Sequence, residues 1–242
     1  MQNKWYWIFR NIIFGPFLRV YNRPEIVGVD NIPSTGPAII ASNHQSVMDS
    51  FFLPLLCPRQ ITFLAKAEYF NGTTLVGRLQ KWFFTNVGQR PVNRTSASAG
   101  QDALNTAVEV LNDGDLFGIY PEGTRSPDGR LYKGKTGVAR IALASGAQVI
   151  PVAMIGTRDV NPIGTWFPRP GKVRVKVGDP IYPIEFVNNR GLERDSYEAI
   201  RALTDHIMRQ LQQLSGQEYV DVYAAEVKKA LAEGGDSSPH NP

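Results

Sequence analysis

Apolar positions in this chain fall into short blocks separated by turn-forming clusters, and the blocks alternate between strand-like and helix-like spacing. Residues 25–29 read as a short strand after Pro24, and the Pro- and Gly-containing stretch 31–37 as a turn. Residues 38–42 are a compact apolar run, the pattern of a strand buried on both faces. A helix can start within 46–56, a strand is predicted at 61–65, a helix at 74–84, and a further strand near Val87. In 96–112, Ala103, Leu104, Ala107, Val108 and Leu111 share one helical face, and Gly114 stops the helix. Strand spacing returns at 116–120 and 149–155, with a helix at 136–144 between them. Residues 173–177 alternate with Lys172, Arg174 and Lys176, which predicts a half-exposed strand near a sheet edge. Two amphipathic helices are expected at 196–214 and 217–232, followed by a polar tail. Strands alternating with helices predict an α/β fold built on a mixed, mostly parallel sheet flanked by helices.

Charge changes the reading of the first 22 residues. Lys4, Arg10, Arg19 and Arg23 are accompanied by no acidic residue up to position 24, while the rest of the chain balances 22 basic residues against 22 acidic ones. The same stretch carries Trp5, Trp7, Phe9, Phe14 and Phe17. Arg10 and Arg19 leave only eight residues between them, too few to cross a hydrocarbon core of ~30 Å. A helix here is expected to lie in the interface, with rings at headgroup depth and cations toward an anionic leaflet. The competing reading is a helix packed on the protein's own core. The expected organisation is therefore an interfacial segment at 1–22, an α/β domain at 23–232 and a tail at 233–242.

Composition narrows the chemistry. With 242 residues and 43% hydrophobic content the chain can bury a sizeable core. One cysteine, Cys57, excludes a disulfide framework, and three histidines, two of them late in the chain, make no metal site expected. Two segments that each follow a strand carry the chemistry-bearing residues. In the first, Asn43-His44 precedes Asp49 by a spacing that puts imidazole and carboxylate about 140° apart on one regular helix. They meet only if His44 lies in the loop and Asp49 in the first helical turn. The carboxylate would then hold one tautomer and leave the other ring nitrogen free to accept a proton. The spacing of Ser46 and Asp49 equally fits a helix capping box.

In the second segment, Glu122-Gly123-Thr124-Arg125, glycine permits close backbone approach to an anion, threonine offers a hydroxyl and arginine a planar fork. A plain turn explains the Gly and Pro as well. Lys66 ends another predicted strand, and Arg90 and Arg94 flank Pro91 beyond Val87. Strand ends that each bear a cation are expected to line one edge of the sheet.

Together these segments resemble the glycerolipid acyltransferase family, which includes the 1-acylglycerol-3-phosphate acyltransferases. Asn43 to Asp49 match its Asn-His-x-x-x-x-Asp motif, and Val92-Asn93-Arg94 its second motif. Residues 120–126 match Phe-Pro-Glu-Gly-Thr-Arg-Ser, with Tyr120 replacing Phe, and 149–152 match an apolar strand interrupted by Pro151. The likeness covers roughly 25–180. The second motif departs from the family pattern, since Pro91, Val92 and Asn93 replace its large aliphatic and acidic residues, which leaves Arg94 as the better match over Arg90. Residues after about 180 match no motif.

The resemblance implies an enzyme in which His44, oriented by Asp49, activates a glycerol hydroxyl. Arg125, Arg94 and Lys66 would hold the acceptor's phosphate with Gly123 and Thr124, while Asn43 and Glu122 shape the acceptor site, Glu122 by orienting Arg125. It implies no permanently bound cofactor and an acyl-CoA or acyl carrier protein thioester as co-substrate. The implied partners are a lysophospholipid acceptor and membrane lipids, not nucleic acid, and the implied location is the cytoplasmic face of a membrane, peripheral or monotopic. Other phosphate-bearing acceptors, a non-catalytic membrane-binding protein and a thioester hydrolase are the alternatives. An apolar region near Phe51, Phe52, Phe63, Trp82 and Phe83 is the expected place for the acyl chain.

Overall fold

The computed structural model describes residues 3–92, 98–165 and 167–233. The basic aromatic segment is not one helix. It folds as α1 (Lys4–Ile8), a π-helical turn (Phe9–Ile13) and α2 (Gly15–Tyr21). After β1 (Glu25–Val27), the central strand β2 (Ala38–Ser42) leads into α3 (Asp49–Leu56). Then come β3 (Ile61–Lys66), α4 (Leu75–Asn86), β4 (Arg90–Val92), α5 (Ala99–Asn112) and β5 (Leu116–Ile119). The second half contains β6 (Leu131–Tyr132), α6 (Gly137–Ser145), β7 (Gln148–Ile155), the short α7 (Thr157–Val160) and β8 (Arg174–Val177). It closes with α8 (Pro183–Asn188), α9 (Tyr197–Ser215), β9 (Tyr219–Val220) and α10 (Ala224–Ala232).

Seven strands form one sheet in the order β1-β8-β7-β2-β5-β3-β4. β2 pairs in parallel with both β5 and β7, and β3 in parallel with both β5 and β4. β8 turns the direction, antiparallel to β7 and parallel to β1. The mixed, mostly parallel sheet expected from the sequence is therefore present, and the five parallel strands bring their C-terminal ends to a single edge. Every residue of β2 is buried, because helices cover both faces. Ile39 and Ala41 face a layer that includes Leu111, Leu203, Ile207 and Leu211, whereas Ala38 and Ile40 face Phe52, Leu53 and Leu18.

Residues 174–177 form the half-exposed strand expected near a sheet edge: only β1 lies outside β8, and Arg174 reaches Glu25 across the pair at 3.6 Å. Val175 and Val177 are buried and Arg174 is exposed. Two other local expectations are corrected. The helix expected at 217–232 is broken, because Gly216 (φ 70°) ends α9 and Tyr219–Val220 pair with β6 before α10 begins. The helix expected from 46 begins at Asp49, for a reason seen in the loop before it.

The N-terminal segment packs on α3 through one face. Tyr6 donates its hydroxyl proton to the Pro54 carbonyl at 3.0 Å, and Leu18 is buried. Gly15 allows the close passage, since a Cβ there would stand 1.7 Å from the Arg10 carbonyl oxygen. Arg10 donates from Nε to the Leu55 carbonyl at 3.0 Å, satisfying the C-terminal end of α3, so this cation serves the protein rather than a lipid. Phe9 is half-buried, in ring contact with Trp82 and Phe83 at 5.8 and 5.0 Å. Trp5, Trp7, Ile12, Ile13, Phe14, Phe17 and Val20 stay exposed.

Candidate active site

Two loops leaving the C-terminal edge of the sheet meet at His44. Asn43 continues the pairing of β2 with β7 through its side chain: Nδ2 donates to Met154 O at 3.0 Å, and Oδ1 accepts from Met154 N at 2.7 Å. Its amide also donates to Gln217 Oε1 at 2.7 Å. With its polar atoms so engaged, Asn43 shapes the site by fixing the loop and not by reaching into it. His44 N donates to Glu122 Oε1 at 2.9 Å, and His44 O accepts from Ser126 N at 2.7 Å. Both backbone groups of the histidine are thus pinned by the 122–126 loop.

The side chain is pinned as well. His44 Nδ1 stands 2.9 Å from Asp49 Oδ2, and the same oxygen accepts from Gln45 N at 2.7 Å and Ser46 N at 2.8 Å. Asp49 is fully buried at the start of α3. Its bond to Ser46 N is half of the capping box considered above; Ser46 Oγ instead donates toward Asn161. A carboxylate accepts and does not donate, so Nδ1 carries the proton and Nε2 presents its lone pair. The imidazole is 16% exposed, so the ring is partly open to solvent.

Tyr120 stacks on the imidazole, 3.9 Å between centroids and 11° from parallel, and Phe63 stacks on Tyr120 at 5.5 Å. Gly118 makes room for this pile of rings, because a Cβ there would lie 2.3 Å from Phe63 Cε1. Burial, then the charge of Asp49, pushes the Tyr120 hydroxyl up and keeps it protonated.

Glu122 is fully buried and binds the two loops together: Oε1 takes His44 N, and Oε2 takes Tyr132 N at 3.0 Å. Among the described residues it does not bond Arg125, so the expected orienting role is replaced by a clamp on backbone amides. Burial pushes its carboxyl up to about 7; the two amides and Lys228 pull it down, and Asp49 adds to the rise. Gly123 adopts φ 73° and is exposed. Arg125 is half-buried with no hydrogen bond or ion pair among the described residues. Thr124 Oγ1 accepts from Lys228 Nζ at 2.7 Å. Lys66 is exposed at the C-terminal end of β3. Arg94 lies outside the described residues.

Phe51 and Phe83 both contact Phe14, and Trp82 contacts Trp5 and Phe9, but Phe52 is a core residue on the sheet side of α3. Cys57 is buried, and desolvation raises its thiol to about 11, which leaves it protonated and inert. Among the described residues no group of three His, Cys, Asp or Glu side chains is placed to hold a metal. A cleft of about 620 Å³ lined by Gln60, Thr62, Gln89 and Arg90 opens at the N-terminal ends of β3 to β5, away from His44. Sequence reasoning missed Tyr132, Gln217 and Lys228, which carry no motif signal. Tyr120 was visible only as a replacement within a motif.

Comparison with known proteins places this geometry. A family model described as "Acyltransferase" matches residues 23–155. The 1-acyl-sn-glycerol-3-phosphate acyltransferase LPAT1, chloroplastic, of Arabidopsis thaliana is 32% identical over 177 residues, covering 72% of this chain and 47% of that one. The 1-acyl-sn-glycerol-3-phosphate acyltransferase of Bacillus subtilis is 27% identical over 201 residues, covering 81% and 87%. The chain thus spans about half the length of the plant relative and most of the bacterial one. The crystal structure of the 1-acyl-sn-glycerophosphate (LPA) acyltransferase PlsC from Thermotoga maritima matches with a TM-score of 0.62 at 29% identity, over 83% of this chain and 76% of that one. Because the matched region runs from just before β1 through β7 and contains both loops that close on His44, the chain belongs to the acyltransferase family.

Proposed function

We propose that the protein transfers a fatty acyl group from an acyl thioester, of coenzyme A or acyl carrier protein, to the free hydroxyl of 1-acylglycerol 3-phosphate. The observation that carries this reading is the buried Asp49 carboxylate holding Nδ1 of a partly exposed His44, with the Gly123–Arg125 turn beside it. His44 Nε2 takes the proton of the acceptor hydroxyl as its oxygen bonds to the thioester carbonyl carbon. The tetrahedral adduct then expels the thiolate by breaking the C–S bond, and the imidazolium returns the proton to sulfur. No covalent enzyme intermediate is required. General-base action contributes about 10²–10⁴-fold. Holding the phosphate through Arg125, together with Arg94 and Lys66, fixes the hydroxyl against Nε2 and contributes a comparable share.

The substrates and product are amphiphiles, and we place the protein on the cytoplasmic face of a membrane. Among the described residues no helix is long and apolar enough to cross one. What supports surface docking is a continuous exposed apolar face. It joins the N-terminal segment to Leu75, Val76, Leu79 and Trp82 of α4 through the 4.9 Å contact of Trp5 with Trp82. Labelled acyl-CoA offered with and without lysophosphatidic acid tests the reaction, with products read by mass spectrometry. Labelled phosphatidic acid formed only with the acceptor is the expected result. Free acid formed at equal rate in both arms would identify a hydrolase, and no turnover a binding protein.

A further inference from the structure

Lys228 lies on α10, beyond the region that defines the family, yet it reaches the loop that clamps His44. β9 brings it there by pairing with β6, the strand that follows this loop. Lys133 N donates to the carbonyls of Val220 and Val222 at 3.0 and 3.1 Å, and Lys133 Nζ pairs with Asp221 at 3.1 Å. Ala224, at the start of α10, is buried against Tyr132 and Val220. From this anchored helix Lys228 Nζ donates to Thr124 Oγ1 at 2.7 Å. Lys135 also lies against the turn: a Cβ on Gly123 would meet its Cδ and Cε at 3.1 Å and its Nζ at 3.3 Å.

Three cations, Arg125, Lys135 and Lys228, therefore surround an exposed glycine turn. Among the described residues, none of them has a carboxylate within 4.0 Å. Lys228 is half-buried and uses one of its three N–H donors; the other two have no acceptor among the described residues. Burial first, then Arg125, disfavours its charge, and Glu122 opposes them more weakly. A tether between helix and loop needs one donor of any kind. An ammonium with two donors left over beside a guanidinium is the arrangement that charge-assisted hydrogen bonds to an anion require.

We propose that Lys228, with Lys135, Arg125 and the Gly123–Thr124 turn, forms a subsite for a substrate phosphate, so that the C-terminal helix completes the site. The inference rests on the acyl-transfer reading above. Phosphate is available from two sources, the acceptor's monoester and the phosphates of the thioester donor.

Steady-state kinetics on the full chain decide it, with Lys228→Met and Lys228→Arg measured separately against lysophosphatidic acid and acyl-CoA. Lys228→Met is expected to raise KM for one of them about tenfold to a hundredfold while kcat changes far less, and Lys228→Arg to recover most of the loss. A rise for lysophosphatidic acid assigns the subsite to the acceptor, and a rise for acyl-CoA assigns it to the donor. Both KM values unchanged, including the case where only kcat falls, overturns the proposal and leaves Lys228 a tether. Should Lys228→Met fail to fold, Lys135→Met is judged by the same KM criterion from an exposed position. If the wild type transfers no acyl group at all, it is the reaction that has been misread. The subsite is then judged by the thermal midpoint in glycerol 3-phosphate. A shift in wild type and Lys228→Arg that is lost in Lys228→Met supports it; equal shifts in all three, zero included, overturn it.

Discussion

His44 is held at three points, and each constraint has a separate consequence. Asp49 Oδ2 serves two buried backbone amides as well as the imidazole. Asp49→Ala would strand the Gln45 and Ser46 amides, at about 1–3 kcal/mol each, and confuse lost chemistry with lost folding. Asp49→Asn isolates the chemistry, because a carboxamide oxygen can keep the amides but cannot stabilise an imidazolium. Both Asp49→Asn and His44→Ala are expected to lower kcat about 10²–10⁴-fold, with thermal midpoints near wild type. Full activity in purified His44→Ala would end the mechanism. Glu122 gives a pH signature. Its carboxyl moves from 4.5 to about 7 on folding, so between those values the folded chain keeps a proton that the unfolded chain releases. Its contribution to stability is complete below 4.5 and lost as pH rises through 7. The stability of wild type relative to Glu122→Gln, from denaturant midpoints, should fall between pH 5 and pH 8; a constant difference would contradict the burial argument.

At the scale of elements, the site is an outcome of strand direction. β2, β3, β4 and β5 run parallel, so His44, Lys66 and the 122–125 turn emerge on one edge. That edge could be anticipated at β2, because a strand buried on both faces reads as an unbroken apolar run, and this one ends in Ser42 with Asn43 and His44 directly after it. The mini-sheet of β6 and β9 could not, since two-residue strands carry no periodicity; Tyr132 and Lys228 were hidden with it. The same limit hid the support beneath Tyr120. Gly118 reads as a weak point in β5, yet it is the space into which Phe63 packs. Gly118→Ala is expected to displace that ring, destabilise the fold by about 1–3 kcal/mol and loosen the stack on His44. A circular-dichroism melt and kcat should therefore fall together, and a variant with unchanged midpoint and rate would show that the Phe63–Tyr120 stack supports neither.

For the whole molecule, the question is what the aromatic N-terminus faces. The segment packs on the protein's own core through Tyr6 and Leu18, while Val20 at 80% exposure and Ile12 at 59% are turned out. The outward face continues onto α4, where Leu75 is 84% and Leu79 65% exposed. A monomer in water rarely shows so large an apolar patch without a partner. Lys4, Arg19, Arg78 and Lys81 belong to the same elements, and neither residues 3–22 nor α4 contains an acidic residue, which suits an anionic leaflet. Deleting residues 1–22 is a poor test, because it also uncaps α3 at Leu55 and uncovers the core under Leu18. The double substitution Leu75→Glu/Leu79→Glu leaves those contacts intact and places two carboxylates on the face. Losing two such side chains from a lipid interface costs roughly 3 kcal/mol, so binding to anionic vesicles in a sedimentation assay should weaken more than a hundredfold. Ile12→Glu/Phe17→Glu should act in the same direction from the other half of the patch. If both variants sediment like wild type, the exposed face serves something other than a bilayer.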